Sequence, residues 1–167
     1  MQKRMRLMGT LAIAVFGLAL LSGCSLFRTA ATGDTAQQPA APAAAEPAKT
    51  DRLAAAQAAL QDINFDFDKF NIRPDAREIL KANADLLLKN RDINIIIEGH
   101  CDERGTAEYN MALGERRAQE AKKHLINLGV ASARMKTVSY GEERPLDPAS
   151  NEDAWAKNRR AHFAVVK

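Results

Sequence analysis

The sequence predicts an α/β sandwich of the α+β type, with the element order β-α-β-α-β-(short α)-β and a small mixed sheet covered by helices. Three observations lead to this fold class. Apolar side chains alternate with polar ones over residues 63–68, they recur at helical spacing over 74–90 and 106–129, and residues 93–99 form a β-branched run. About 115 residues follow position 50, which is a usual size for one compact domain.

The first half of this domain is predicted to form a strand, a helix and a second strand. Residues 63–68 have the two-residue period of a half-buried strand. Pro74 suits the first position of a helix, because the N–H that it lacks would be unpaired there, and this helix reaches Asn90. The continuous apolar run at residues 93–99 favours a central strand covered on both faces. An Ala- and Leu-rich stretch before the first strand indicates a helix that begins near Asp51.

The second half is predicted to begin with a long helix. Thr106 is predicted to be its N-cap, and Gly129 is predicted to end it. Glu108 lies in its first turn, where a negative charge interacts favourably with the helix dipole. A short strand over residues 136–140, a brief helix over 152–157 and a final strand over 161–166 follow. Strand-helix-strand connections are expected to be right-handed, but the sequence leaves the strand order open, and with it the side of the sheet that each helix covers.

Residues 1–24 have the features of an export signal that ends in a lipidated cysteine. Basic residues precede an apolar run at residues 11–21, which is shorter than the about 20 residues that span a bilayer. The run ends in Leu-Ser-Gly-Cys, which resembles the processing site of bacterial lipoproteins. We therefore expect cleavage after residue 23 and an N-acyl and S-diacylglycerol lipid on Cys24. The alternative is an ordinary signal peptide in which Cys24 lies near the cut by chance.

The next segment, residues 24–50, is predicted to be the lipidated N-terminus and a disordered tether. It is rich in Ala and Pro and has almost no large apolar residue after Phe27, so it cannot bury enough surface to offset its ordering entropy. As a flexible coil it would span roughly 25–30 Å, and it could extend to about 80 Å. The predicted organisation is thus a signal peptide at 1–23, this tether, and one folded domain at 51–167.

The charge balance excludes a basic binding protein. The whole chain has 24 basic and 21 acidic side chains, but the predicted signal contains Lys3, Arg4 and Arg6 and no acid, which leaves 21 of each. A neutral mature chain without a dense basic run is not typical of proteins that bind nucleic acid or anionic lipid. The chain has two cysteines, and lipidation of Cys24 would leave Cys101 without a disulfide partner in the chain.

The densest cluster of reactive side chains, His-Cys-Asp-Glu-Arg, occupies residues 100–104, between the predicted central strand and the long helix. Ligands often bind at such strand ends. Catalysis by Cys101 with His100 as base is disfavoured, because adjacent residues leaving a strand point in opposite directions. A metal site is disfavoured, because the usual zinc-ligand spacings are absent. We therefore expect no catalytic residue, metal or cofactor here, with His100 capping the strand and Cys101 a small buried residue.

A third interpretation is the recognition of a zwitterion. Asp102 can accept hydrogen bonds from an ammonium group, and an arginine on the following helix can clamp a carboxylate with two hydrogen bonds. Arg116 and Arg117 diverge by about 100° on that helix, and Arg117 lies beside the apolar stripe, so Arg117 is directed towards the sheet. Residue chemistry alone is equally compatible with an arginine that pairs with an acid or packs its stem on the core.

Longer motifs surround this loop. They read EGHCDERGTAEYN at residues 98–110, LGERRA at 113–118, FDFDK at 65–69, SYGEERP at 139–145 and NRRA at 158–161. Together they resemble the OmpA-like peptidoglycan-binding domain family over about residues 63–167, and long ordered motifs are far more specific than a short pattern. The resemblance implies the OmpA C-terminal-like fold. It also implies a protein that is not an enzyme and that grips the diaminopimelate residue of the peptidoglycan stem peptide without cleaving it.

The resemblance also implies which residues bind. Those matched to the family's diaminopimelate site are Asp102, Arg117, Asn110 and Asp68. Those matched to positions that brace the loop or bind are Thr106, Arg159 and Arg160. A free diaminopimelate end has an ammonium and a carboxylate on one carbon, so Asp102→Ala or Arg117→Ala is expected to cost a few kcal/mol and abolish binding to purified peptidoglycan, with the circular dichroism spectrum unchanged. Other residues are common in the family at the Cys101 position, which supports a non-functional thiol.

For a lipid-anchored member of this family, the resemblance implies a protein on the periplasmic face of the outer membrane. The acyl chains would lie in the inner leaflet, the tether would cross the gap, and the domain would hold the cell wall. Ser25, which follows the expected lipidated cysteine, indicates sorting to the outer membrane. The implied partners are peptidoglycan, the outer membrane, TolB and other Tol components, with a role in envelope constriction during cell division. The alternatives are a wall-binding lipoprotein without Tol partners and a peptidoglycan hydrolase.

Overall fold

The structure, a computed structural model, describes residues 45–166. The predicted signal peptide, Cys24 and most of the predicted tether lie outside these residues. The elements are α1 (Ala45–Ala59), β1 (Ile63–Asn64), α2 (Pro74–Lys89), β2 (Ile95–His100), α3 (Ala107–Asn127), a 3-10 helix (Ser132–Arg134), β3 (Met135–Gly141), α4 (Glu152–Asn158) and β4 (Arg160–Val165). Among these described helices, none is long and apolar enough to cross a membrane.

The four strands form one mixed sheet in the order β1-β4-β2-β3. β4 is antiparallel to both β1 and β2, and β2 is parallel to β3. The predicted α+β fold with a small mixed sheet is therefore confirmed. The order places β2 and β4 at the centre, so the loop that follows β2 emerges from the middle of the sheet.

The three long helices cover one face of this sheet. Their buried side chains share a single core with the strands, which includes Leu60, Leu80, Leu87, Ile97, Leu125 and Phe163. β2 is central, as predicted, but the prediction that it is covered on both faces is wrong. Ile96 is only half-buried, and Glu98 lies beside His162 on the face without helices, which we call the open face.

The first strand is much shorter than the sequence predicts. Residues 63–68 were expected to be extended, but β1 ends at Asn64, which pairs with the first residue of β4, Arg160. The Phe65 N–H still donates to the Arg159 carbonyl at 2.9 Å, and the chain then has no further strand to pair with. Phe67 is consequently 54% exposed, and Asp68 turns the chain with a φ of 56°. Side-chain alternation cannot show where a partner strand begins.

The helix boundaries otherwise follow the local signals. Pro74 begins α2, Thr106 caps α3 by accepting a hydrogen bond from the Tyr109 N–H at 3.2 Å, and Gly129 follows α3 with a φ of 97°. The exception is α1, which begins at Ala45 rather than near Asp51. Residues 45–50, assigned to the disordered tether, are thus helical.

Candidate functional site

A cavity of about 240 Å³ opens where β2 ends and α3 begins. It is lined by Phe67, Asp68, Cys101, Asp102, Arg104, Gly105, Tyr109, Asn110, Leu113 and Arg117. The four residues matched to a diaminopimelate site all belong to this lining, although they come from three segments of the chain. We call this cavity the cleft.

Close packing of α3 on β2 sets the floor of the cleft. A Cβ on Gly99 would lie 1.9 Å from the carbonyl oxygen of Gly114, and a Cβ on Gly114 would lie 2.9 Å from the carbonyl oxygen of Gly99 and 2.3 Å from Ser139 Oγ. Only glycine fits at either position, because a carbon atom cannot approach backbone atoms so closely. Arg117 follows Gly114 by three residues, so its side chain leaves the same side of α3 and reaches the end of β2.

Arg117 is buried in the cleft with 1% of its surface exposed, whereas Arg116 is exposed, as predicted. Its guanidinium donates to the carbonyls of Lys69 (2.9 Å), His100 (2.8 Å) and Asp66 (3.2 Å), and to Cys101 Sγ (3.4 Å). Four of its five N–H groups are therefore used, and the expected clamp with two free hydrogen bonds is not available. The expectation of a two-pronged clamp is thus wrong.

Among the described residues, no carboxylate contacts the positive charge of Arg117 directly, although Asp102 and Asp68 act on it from nearby. No ion pair involves Arg117 within residues 45–166, and main-chain carbonyls are its oxygen partners. Burial lowers the pKa of its guanidinium, but an arginine remains charged at any physiological pH. The floor of the cleft is therefore a desolvated cation, which attracts an anionic group.

Asp102 is the buried acid of the cleft, with 4% of its surface exposed. Its Oδ1 accepts from the backbone N–H and the Nε of Arg104, both at 3.1 Å, and its Oδ2 accepts from Arg104 Nη2 at 2.8 Å and Arg159 Nη1 at 3.2 Å. Burial by itself raises the pKa of this carboxyl, but the hydrogen bonds from Arg104 and Arg159 outweigh it and hold the pKa below its usual value. Asp102 is therefore ionised at neutral pH.

Arg104 covers this carboxylate, and sequence reasoning did not assign it to the site. Its guanidinium lies between two rings, 4.0 Å from the centroid of Phe67 and 4.2 Å from that of Trp155, and its Nη1 is 3.5 Å from Glu152 Oε2. Its position two residues after Asp102 was a usable signal. No spacing in the sequence connects it with Trp155, which comes from α4.

Asn110 and Asp68 shape the cleft in different ways. The buried Asn110 amide donates at 3.2 Å to the carbonyls of both Asp102 and Arg104, and so it holds the loop in place from α3. Asp68 is exposed at the mouth, where its carboxylate accepts a hydrogen bond from the Tyr109 hydroxyl. Thr106 is exposed, caps α3 and does not line the cleft.

The side chains of the two adjacent arginines at the start of β4 point to different sides. Arg159 pairs with Asp102 at 3.2 Å and with Glu152 at 2.9 Å, and its Nε donates to the Phe65 carbonyl, so it braces the loop against α4 and the residue that follows β1. Arg160 points to the open face and pairs with Asp62 at 3.4 Å. The structure does not bring Arg160 into the cleft.

His100 and Cys101 also face opposite sides, as expected for adjacent residues at a strand end. The His100 ring lies 5.6 Å from the Tyr140 ring, and burial lowers its pKa to about 4. The Cys101 thiol lines the cleft, and burial raises its pKa to about 11. The two are therefore not arranged as a nucleophile and its base. Within residues 45–166, no group of three His, Cys, Asp or Glu side chains is placed to hold a metal ion.

Comparison with known proteins defines the class of protein. The model of the OmpA family matches residues 64–159, more than half of the chain, and the chain therefore belongs to the OmpA family.

Within that family, the similarity is to peptidoglycan-associated lipoproteins. The chain is 38% identical to the one from Pseudomonas aeruginosa over 161 residues, which cover 93% of this chain and 95% of the relative. It is 50% identical to the one from Mesorhizobium japonicum over 99 residues, but that match spans only 59% of each chain. The crystal structure of the peptidoglycan-associated lipoprotein from Burkholderia pseudomallei is 39% identical and matches with a TM-score of 0.62, over 64% of this chain and 90% of that one.

Proposed function

We propose that this protein is an outer-membrane lipoprotein that binds the diaminopimelate residue of the peptidoglycan stem peptide without cleaving it. The observation that supports this most directly is the cleft, in which the ionised Asp102 and the unneutralised Arg117 are buried together. The names of the relatives point to peptidoglycan as the associated polymer.

The charges of the cleft suit the free end of diaminopimelate. Arg117 attracts the carboxylate and retains one N–H on Nη2 to donate to it. Asp102 attracts the ammonium on the same carbon, and Asp68 adds a second negative charge at the mouth. Because the two central charges are desolvated, each interacts more strongly with a ligand charge than it would in water.

The membrane anchor that we propose lies in the part of the chain outside the described residues. A lipid on Cys24 would anchor the protein in the outer membrane, and the segment after it would allow the domain to reach the wall. Two linkages joined by a tether raise the effective concentration of the second, so the wall affinity can stay modest and reversible. We further propose that TolB and other Tol components are partners during envelope constriction. Recovery of TolB with the detergent-solubilised protein would support this, and its absence would favour a wall-binding lipoprotein without Tol partners.

The test is sedimentation of the full-length protein, kept in detergent, with purified sacculi. Asp102→Asn keeps the size of the side chain and removes its charge, so we expect binding to weaken about 100-fold, because the ligand ammonium would lose its partner in a desolvated cleft. Free meso-diaminopimelate should release the unmodified protein from the sacculi.

The matched control is Asp92→Asn, which removes the same charge from an exposed ion pair with Arg52, remote from the cleft lining, and should bind normally. Equal sedimentation of the Asp102→Asn and Asp92→Asn proteins would contradict the proposal. Arg117→Ala is less informative than the sequence suggested. It would remove a buried donor from the carbonyls of Lys69, His100 and Asp66, so an unchanged fold is no longer expected for that variant.

A further inference from the structure

We propose that Arg104 is a displaceable gate on Asp102, which occupies the place of the ligand's ammonium and must swing away for the ligand to bind. This inference rests on the proposed function, since it concerns how the same cleft admits its ligand. It assigns to Arg104 a role opposite to that of a contact residue. A contact residue raises the affinity of the cleft for its ligand, whereas a gate lowers it.

Asp102 has no acceptor capacity left. A carboxylate offers about four lone-pair sites to hydrogen-bond donors. In the structure all four are used, three by Arg104 (its backbone N–H, Nε and Nη2) and one by Arg159. An incoming ammonium therefore cannot be accepted unless one of these donors leaves.

Of the donors to Asp102, the Arg104 side chain is the one that can leave. Arg159 is buried and also bonded to the Phe65 carbonyl and to Glu152. The backbone N–H of Arg104 is held by a loop that Asn110 fastens from α3. The Arg104 side chain, in contrast, is 31% exposed. Its departure frees one lone pair on each carboxylate oxygen without disturbing the backbone.

The displaced side chain of Arg104 has other partners outside the contact with Asp102. Apart from its contacts with Asp102, the Arg104 guanidinium stacks on the rings of Phe67 and Trp155, and its Nη1 lies 3.5 Å from Glu152 Oε2. Glu152 is exposed, so it can remain the partner of the guanidinium as the latter turns outward. The exchange keeps Asp102 paired with a cation throughout, which avoids leaving a buried charge alone.

The gate also selects the ligand. Only a ligand that brings its own cation to Asp102 can compensate for the lost Arg104 contact, and only one with an adjacent carboxylate can also reach Arg117. The apparent affinity is lowered by the fraction of molecules in which Asp102 is covered. A protein without the gate should thus bind the same ligand more tightly.

Isothermal titration of the full-length protein in detergent with meso-diaminopimelate measures this directly. Arg104→Ala should bind about tenfold more tightly than the unmodified protein, since the covered state is removed. The matched control is Arg144→Ala, which removes an equal charge from an arginine that stacks on Tyr140 at 3.7 Å, outside the cleft lining, and should leave the affinity unchanged. Arg104→Lys keeps the charge but lacks the planar fork, so we expect an intermediate gain.

Unchanged or weaker binding by Arg104→Ala, with a native circular dichroism spectrum, would overturn the gate. Asp102→Asn separates this from failure of the proposed function. If that variant still binds as the unmodified protein does, the site itself is wrong. If it loses binding while Arg104→Ala gains none, only the gate is wrong.

Fluorescence supplies a second readout that does not depend on affinity. Trp155 is the only tryptophan of the chain, and Arg104 lies against its ring. Saturating meso-diaminopimelate should shift the emission of the unmodified protein as the guanidinium leaves. Ligand-free Arg104→Ala should already show the shifted spectrum. An unmodified protein whose emission stays constant at saturation would contradict the displacement of Arg104.

Discussion

On the face of the sheet that the helices cover, Arg117 is buried against main-chain carbonyls and has no carboxylate partner within residues 45–166. On the open face, Arg160 and His162 both pair with Asp62, at 3.4 and 2.7 Å. The buried arginines of the two faces, Arg117 and Arg160, therefore differ in whether a protein carboxylate pairs with them. The Arg160 charge is paired with Asp62 and joins the residue before β1 to β4, whereas the charge of Arg117 remains available to a ligand.

The open face also contains His100, which, unlike His162, has no hydrogen-bonded acid beside it within residues 45–166. His100 is buried, and neither of its ring nitrogens has a hydrogen-bond partner among the described residues. Burial lowers the pKa of His100 to about 4, while the hydrogen bond with Asp62 raises the pKa of His162. Two histidines on one face of the sheet thus have opposite pKa shifts, because burial dominates at His100 and the hydrogen bond with Asp62 dominates at His162.

The largest effect should come from breaking the helix-covered face at Gly99. Gly99→Ala forces a Cβ into the backbone of α3, so we expect the free energy of unfolding to fall by about 3 kcal/mol or more in urea denaturation. Gly129→Ala is the comparison, since its nearest neighbour would be 4.0 Å away and only its φ of 97° is unfavourable. That variant should lose about 1 kcal/mol. Equal losses would show that the contact between β2 and α3 is not as tight as described.

The next effect concerns His100 and acid. Between the unfolded pKa of 6.5 and the folded value of about 4, the unfolded chain binds more protons, so stability falls as the pH drops through this window. The loss should be of the order of 3 kcal/mol when complete. His100→Phe cannot be protonated, so its advantage over the unmodified protein should grow from about pH 7 to about pH 4.5 in urea titrations. Parallel pH profiles would refute the buried, neutral state of His100.

The smallest effect should come from His162, with the opposite sign. Its pKa is raised, so its contribution to stability is fully present below pH 6.5 and is lost as the pH rises through the folded pKa. The side chain is 33% exposed and therefore screened, so His162→Gln should cost less than about 1 kcal/mol at acidic pH and little at alkaline pH. In an Asp62→Asn background the pH dependence of this cost should vanish, and its persistence there would show that Asp62 is not its cause.

Much of the fold was predictable from short-range signals. Pro74 begins α2, Thr106 caps α3 and Gly129 follows its end, because each of these choices depends on neighbours within a few residues. The placement of Arg117, rather than Arg116, towards the sheet followed from helical spacing for the same reason. The motifs around Asp102 are sufficient to indicate the family without any tertiary contact.

The sequence by itself determined the order of elements, the family and the loop that contains the buried acid. Tertiary structure alone decided that β1 ends at Asn64 and that the Arg117 guanidinium donates to main-chain carbonyls. It also decided that Arg160 lies outside the cleft, and that Arg104, stacked on Trp155, covers Asp102. The physical reason is distance along the chain. Periodicity and capping arise from adjacent residues, whereas the end of a strand and the partner of a charge depend on segments that meet only after folding.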